Sequence, residues 1–137
     1  MRSFPFRATP VTRSFRLTGA SGPPVAVDVT SASGRRPVVV LCAPVPGLVE
    51  RLARAGFAVV AFDPPGSPGL EVALDSLERG VFDVDADSYA LVEPRRDGSL
   101  ATARASGGVR VPGPVVPGQS AELAAAAIVQ WLAKYLA

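Results

Sequence analysis

Few side chains in this 137-residue chain are equipped for chemistry, and they are scattered along it. Cys42 closes the apolar run VVVLC. A cysteine attacks only as thiolate, which needs a cationic neighbour or a helix N-terminus, and a helix starting near Gly47 is the one element placed to supply it. Without that help, Cys42 is a small hydrophobe at the end of a buried strand. Ser99, in DGSLA, is a candidate nucleophile or a serine capping a helix start. Asp63 and Glu93 each end an apolar run. In an open parallel sheet, ligands sit at the carboxyl ends of the strands, so both carboxylates are expected at one crevice as acid and base. Arg95, Arg96 and Asp97 follow Glu93 and supply charge for binding a ligand there. The plainer reading of this group is a solvated ion-pair cluster at the rim.

The chain contains no histidine. That removes the commonest general base, the commonest metal ligand and the usual pH switch. Asp83, Asp85 and Asp87 imitate the first three ligands of a calcium loop. The glycine required at the sixth position is Ser88, however, and the twelfth position is Pro94, with Glu93 one residue early. No metal site and no cofactor are expected, and neither phosphate-binding glycine motif occurs.

Composition narrows the class further. With 48% hydrophobic residues and a net charge of +2, the chain can bury a core and shows no overall bias towards nucleic acid. Thirteen of the fourteen basic residues are arginine, and Arg2, Arg7, Arg13 and Arg16 precede the first acid, Asp28. They mark residues 1–10 as a flexible arm leading into an edge strand. One cysteine excludes an internal disulfide framework. No apolar run is long enough to span a bilayer, and the opening MRSFPFRATPVTRSF lacks the apolar core of a secretion signal. A soluble cytoplasmic protein of one domain, residues 1–137, is expected, with no nucleic-acid or membrane partner.

These residues need elements to place them. Residues 12–17 and 25–30 alternate apolar and polar about GASGPP, the pattern of a hairpin. VVVLCA and FAVVAFD read as buried strands, and residues 90–92 as a third. LVERLARA and LEVALDSLER have helical spacing, each stopped by a glycine. Strand–helix–strand–helix–strand predicts a parallel sheet. A small-residue helix is expected over residues 100–105, then a strand at GGVRV and a helix over residues 120–136. In that last helix Leu123, Ala127, Ile128, Trp131, Leu132 and Tyr135 share the apolar face.

The same phrases carry a resemblance to a known family. RPVVVLCAPVPG looks like a strand running into an oxyanion loop, and LVERLARAGFAVVAFDPPGSPG looks like the helix, strand and loop that follow it. DVDADSYALV looks like the approach to a nucleophile elbow, and PVVPGQSAELAAA resembles a late loop with its helix. Together they resemble the α/β-hydrolases, in particular the dienelactone-hydrolase and acyl-peptidase-like branch, over roughly residues 11–137. The resemblance implies a truncated α/β-hydrolase-like fold: a mostly parallel sheet with an N-terminal antiparallel hairpin and helices on both faces.

At the family's catalytic positions the chain departs from the pattern. An elbow reads G-x-S-x-G on a strained strand-to-helix turn. Here the segment is Glu93-Pro94-Arg95-Arg96-Asp97, with Glu93 and Asp97 at the glycine positions and Arg95 at that of the serine. Cys42 and Ala43 stand where the oxyanion loop has His and Gly, and the only acid after Asp97 is Glu122. The expectation is a non-hydrolytic pseudoenzyme that binds or self-associates, as a homodimer through an exposed sheet edge or the C-terminal helix. The alternatives are a histidine-independent cyclase, dehydratase or isomerase acting on a small apolar ligand through Asp63 or Glu93, and an esterase with a non-standard nucleophile.

Overall fold

The computed structural model describes residues 10–18, 24–32, 36–42, 45, 47–63, 67–82, 84–106, 109–118 and 120–134, with backbone alone at residues 67, 68 and 85–87. Arg2, Arg7, Ala43, Asp83 and Tyr135, and most of the expected arm, lie outside the described residues. Along the chain run β1 (Val11–Leu17), β2 (Val25–Ser31), β3 (Pro37–Leu41), α1 (Leu48–Arg54), β4 (Ala58–Asp63), α2 (Ser67–Glu78), β5 (Asp85–Pro94), β6 (Leu100–Ser106), β7 (Val109–Val116) and α3 (Ala121–Leu132).

The seven strands form one sheet in the order β1-β2-β4-β3-β5-β6-β7. β3 pairs parallel with β4 and with β5, the helices α1 and α2 providing the two crossovers. The other four interfaces, β1–β2, β2–β4, β5–β6 and β6–β7, are antiparallel. The mostly parallel α/β-hydrolase sheet expected from the resemblance is therefore corrected to a mixed, mainly antiparallel one with three helices. The physical reason lies after β5. Only Arg95 to Ser99 separate it from β6, whereas a parallel return needs a dozen residues or more. A hairpin is the one connection such a loop allows, so residues 100–105 are a strand and not the expected helix.

Helix termination follows the local sequence. The amides of Gly56 and Phe57 reach back to the carbonyls of Ala53 and Leu52, at 3.1 and 3.2 Å. Those of Gly80 and Val81 do the same to Leu77 and Ser76, at 3.2 and 3.1 Å. Both α1 and α2 therefore end in Schellman motifs that satisfy their last carbonyls. At the start of α3 the Ser120 hydroxyl accepts from the Leu123 amide at 3.3 Å.

The sheet separates two cores. On one face, Val27, Val40, Val60 and Leu91 pack with Leu77 of α2 and with Phe82. On the other, Val39, Leu41, Val59 and Val92 pack with Leu48 and Leu52 of α1 and Ile128 and Leu132 of α3. Strands β3, β4 and β5 are covered on both faces, which accounts for the continuous valine runs in the sequence. The buried face of α3 is Ala124, Ala125, Ile128 and Leu132. Leu123, expected on that face, is 59% exposed. Ala127 and Trp131 of the expected face pack against the same core beside Ile128 and Leu132, so Leu123, in the first turn, is the one described residue that departs from it.

Candidate functional site

The carboxyl ends of the three parallel strands place Asp63, Cys42 and Glu93 side by side, in the order β4, β3, β5. Alternation along the strands then divides them. Cys42 packs against the α2-side core, and Glu93 continues the α2-side series Tyr89–Leu91. Asp63 follows Phe62, which faces α2, so it stands on the opposite face. Both carboxylates are exposed. Asp63 and Glu93, expected to share one crevice, therefore stand on opposite faces of the sheet.

The Cys42 amide donates to the Val92 carbonyl at 2.8 Å, holding the residue in line with β3 and β5. Burial pushes its thiol up from 9.0 to about 12, and the Glu93 carboxylate pushes the same way against the pull of Arg110. A thiol held there stays protonated at neutral pH, which is the reverse of what a nucleophile needs. Nearby, burial and then Glu78, by charge and hydrogen bond, raise Tyr89 above its ordinary 10.0, again opposed by Arg110. Neither Tyr89, Glu78 nor Arg110 was legible as part of this group, because strand pairing across β5, β6 and β7 brings Arg110 towards Tyr89.

The segment that resembles a degenerate elbow is a hairpin turn. Glu93 and Pro94 are the last residues of β5, opposite Ala101 and Leu100 of β6. The Arg95 amide donates to the Ser99 carbonyl at 2.8 Å, and the Gly98 amide to the Arg95 carbonyl at 3.1 Å. Gly98 is left-handed, with φ +87°. This is the three-residue hairpin loop in which a type I turn is followed by a glycine at a bulge, and Asp97-Gly98 is its sequence signal. Asp97 accepts from both the amide (2.9 Å) and the hydroxyl of Ser99. These two bonds, with a contribution from Arg95, hold the Asp97 carboxyl below its usual 3.8. Ser99 is thus a turn residue bonded to Asp97 and not the expected helix cap. Arg95 lies 3.9 Å from Asp97, and Arg95, Arg96 and Asp97 are all exposed at the tip.

Further polar contacts lie at the two sheet edges. On β1, Thr12 bonds Thr30 and Ser14 donates to Asp28, both at 2.8 Å. Arg13 donates to the Phe82 carbonyl and sits 5.7 Å from the Phe15 ring, which meets Phe82 edge-on at 5.1 Å. One arginine of the expected basic arm is therefore a clamp tying the edge strand to the core. On β7, the register shifts so that Gly113 and Pro114 together oppose Thr102, a β-bulge. The buried Thr102 hydroxyl donates to the Pro114 carbonyl at 2.6 Å. Among the described residues no acid or cysteine cluster suits a metal ion, and no helix is long and apolar enough to cross a membrane.

No family model matches the chain, and no curated protein matches it. A solved structure, that of hypothetical protein PA2218 from Pseudomonas aeruginosa, is 21% identical over 61% of this chain, with a TM-score of 0.45. The chain spans about a third of that protein's length, the match covering 35% of it.

Proposed function

We propose that this domain acts by association through its exposed sheet surface and not by turnover. The observation that carries this reading is the exposed apolar side chains on both outermost strands, while Asp63 and Ser99 stand apart from the Cys42–Glu93 pair. Asp63 and Glu93 point to opposite faces, the Cys42 thiol is held protonated, and Ser99 is committed to a turn. Meanwhile four of the six large exposed hydrophobics among the described residues lie on the outermost strands: Val11 on β1 and Val109, Val111 and Val115 on β7. Apolar side chains beside unpaired backbone favour an added strand or a second surface. The reading as a histidine-independent catalyst gains no support from this placement of the carboxylates.

The test combines light-scattering mass with hydrolysis of p-nitrophenyl acetate and butyrate on one sample. The expected result is a mass that rises with concentration and ester turnover equal to the buffer blank. A monomer at every concentration, or turnover lost in Cys42→Ala or Ser99→Ala, overturns it.

A further inference from the structure

The two edges of the sheet are not equivalent. β7 carries Pro112 and Pro114 within the strand, and the Gly113–Pro114 bulge breaks its register. Prolines and bulges block the addition of another strand. β1 has neither: all seven of its residues pair with β2 in unbroken register, and none is proline. Among the described residues, nothing pairs with its outer side.

Resting on the self-association proposed above, we infer that the partner is a second copy of this chain, joined by antiparallel pairing of β1 with β1 about a two-fold axis at Ser14. Side-chain alternation requires that paired residues share a face, so the axis must pass through a residue position. Centred on Ser14, the strand matches itself over its whole length: Val11 opposite Leu17, Thr12 opposite Arg16, and Arg13 opposite Phe15. Centring on Arg13 or on Arg16 sets two guanidiniums directly against each other, and centring on Phe15 leaves Val11 outside.

The chosen register also suits each face. On the α2 side, the exposed Val11 covers Leu17 of the second copy, which is only partly buried in its own chain. On the opposite side, Arg16 of one copy lies near Asp28 of the other. From a strand spacing of about 4.8 Å and a rise of about 3.4 Å per residue, their Cα atoms are roughly 12 Å apart, within reach of an extended arginine and a carboxylate. Among the described residues neither Arg16 nor Asp28 has an ion-pair partner in its own chain. A rotation of 180° forms this contact twice.

The experiment uses the full chain. In a Cys42→Ser background, Ser14→Cys faces itself at a strand-pair separation, and mild oxidation is expected to give a disulfide-linked dimer. Thr12→Cys, which faces Arg16, is expected not to cross-link. By light scattering, Arg16→Glu weakens self-association severalfold, and adding Asp28→Arg restores it. Association that ignores these changes but is lost in Val111→Lys or Leu123→Lys overturns the β1 interface and leaves self-association standing. A monomer throughout overturns both.

Discussion

At the scale of single residues, the turn after β5 shows how few atoms redirect a chain. Gly98 adopts a left-handed conformation that costs other residues about 1–2 kcal/mol, so Gly98→Ala should lower stability by that amount in a denaturant titration. Ser99→Ala removes a donor from Asp97 and should let its carboxyl relax towards its ordinary value, which a carboxyl NMR titration reads. Because the folded Asp97 titrates below its unfolded value, its contribution is present above pH 3.8 and fades as pH falls through the folded value. Cys42 has the opposite sign. Its folded thiol titrates at about 12 against 9.0 unfolded, so the stability it lends is intact below pH 9.0 and lost as pH rises towards 12. Tyr89, raised from 10.0, adds to the upper part of that window. Denaturant midpoints measured at intervals between pH 8 and 12 should fall less steeply in Cys42→Ala than in the parent chain. At pH 8 the parent thiol should also react with an alkylating reagent far more slowly than a small free thiol.

The segment from Leu100 to Val116 is where the elements depart most from a reading of local composition. LATARAS is rich in alanine, which favours helix, yet it forms β6. Its alanines face the α2 side, with Ala105 buried and Ala103 packed against that core, while the buried Leu100 and Thr102 face α3. That is a two-residue period, fixed by pairing with β5. β7 carries Pro112 and Pro114, which an outermost strand with a bulge tolerates. Gly113 is required there: a Cβ would overlap the Trp131 ring of α3 and the Thr102 hydroxyl. Gly113→Ala should therefore cost about 1–3 kcal/mol in thermal or chemical unfolding through overpacking. Thr102→Val, which removes the hydroxyl donor from the Pro114 carbonyl, should cost about 0.5–1.5 kcal/mol.

For the molecule as a whole, three helices cannot cover both faces of seven strands, and this decides which residues reach solvent. α2 lies over β2 and β4, and α1 and α3 pack together on the other face, with α3 against β7. The sheet's outermost strands keep exposed valines as a result. Ile128, fully buried between α3 and the sheet, anchors that second layer, and Ile128→Ala should destabilise by about 2–5 kcal/mol with loss of cooperative unfolding if α3 detaches. The same geometry separates the candidate site. Asp63 and Glu93 were expected together from strand ends alone, but one residue of phase along β4 against β5 sends them to opposite faces.

The sequence by itself determined the elements whose signals are local. The β1–β2 hairpin, the valine strands β3 and β4, the glycine-stopped helices and the Ser120 cap follow from periodicity, from residues that cannot extend a helix, and from buried apolar runs. It also shows that these 137 residues supply no imidazole. Tertiary structure decided the rest: that β5 returns through a hairpin, that LATARAS is a strand, and that Leu123 is left outside the buried face of α3. It alone decided that Cys42 and Glu93 meet on one face while Asp63 turns to the other and Ser99 lies in the turn. Each of these depends on pairing or packing with residues distant in the chain. Such contacts override the weak preferences of alanine, proline and glycine, because burying a sheet face is worth more than any one residue's propensity.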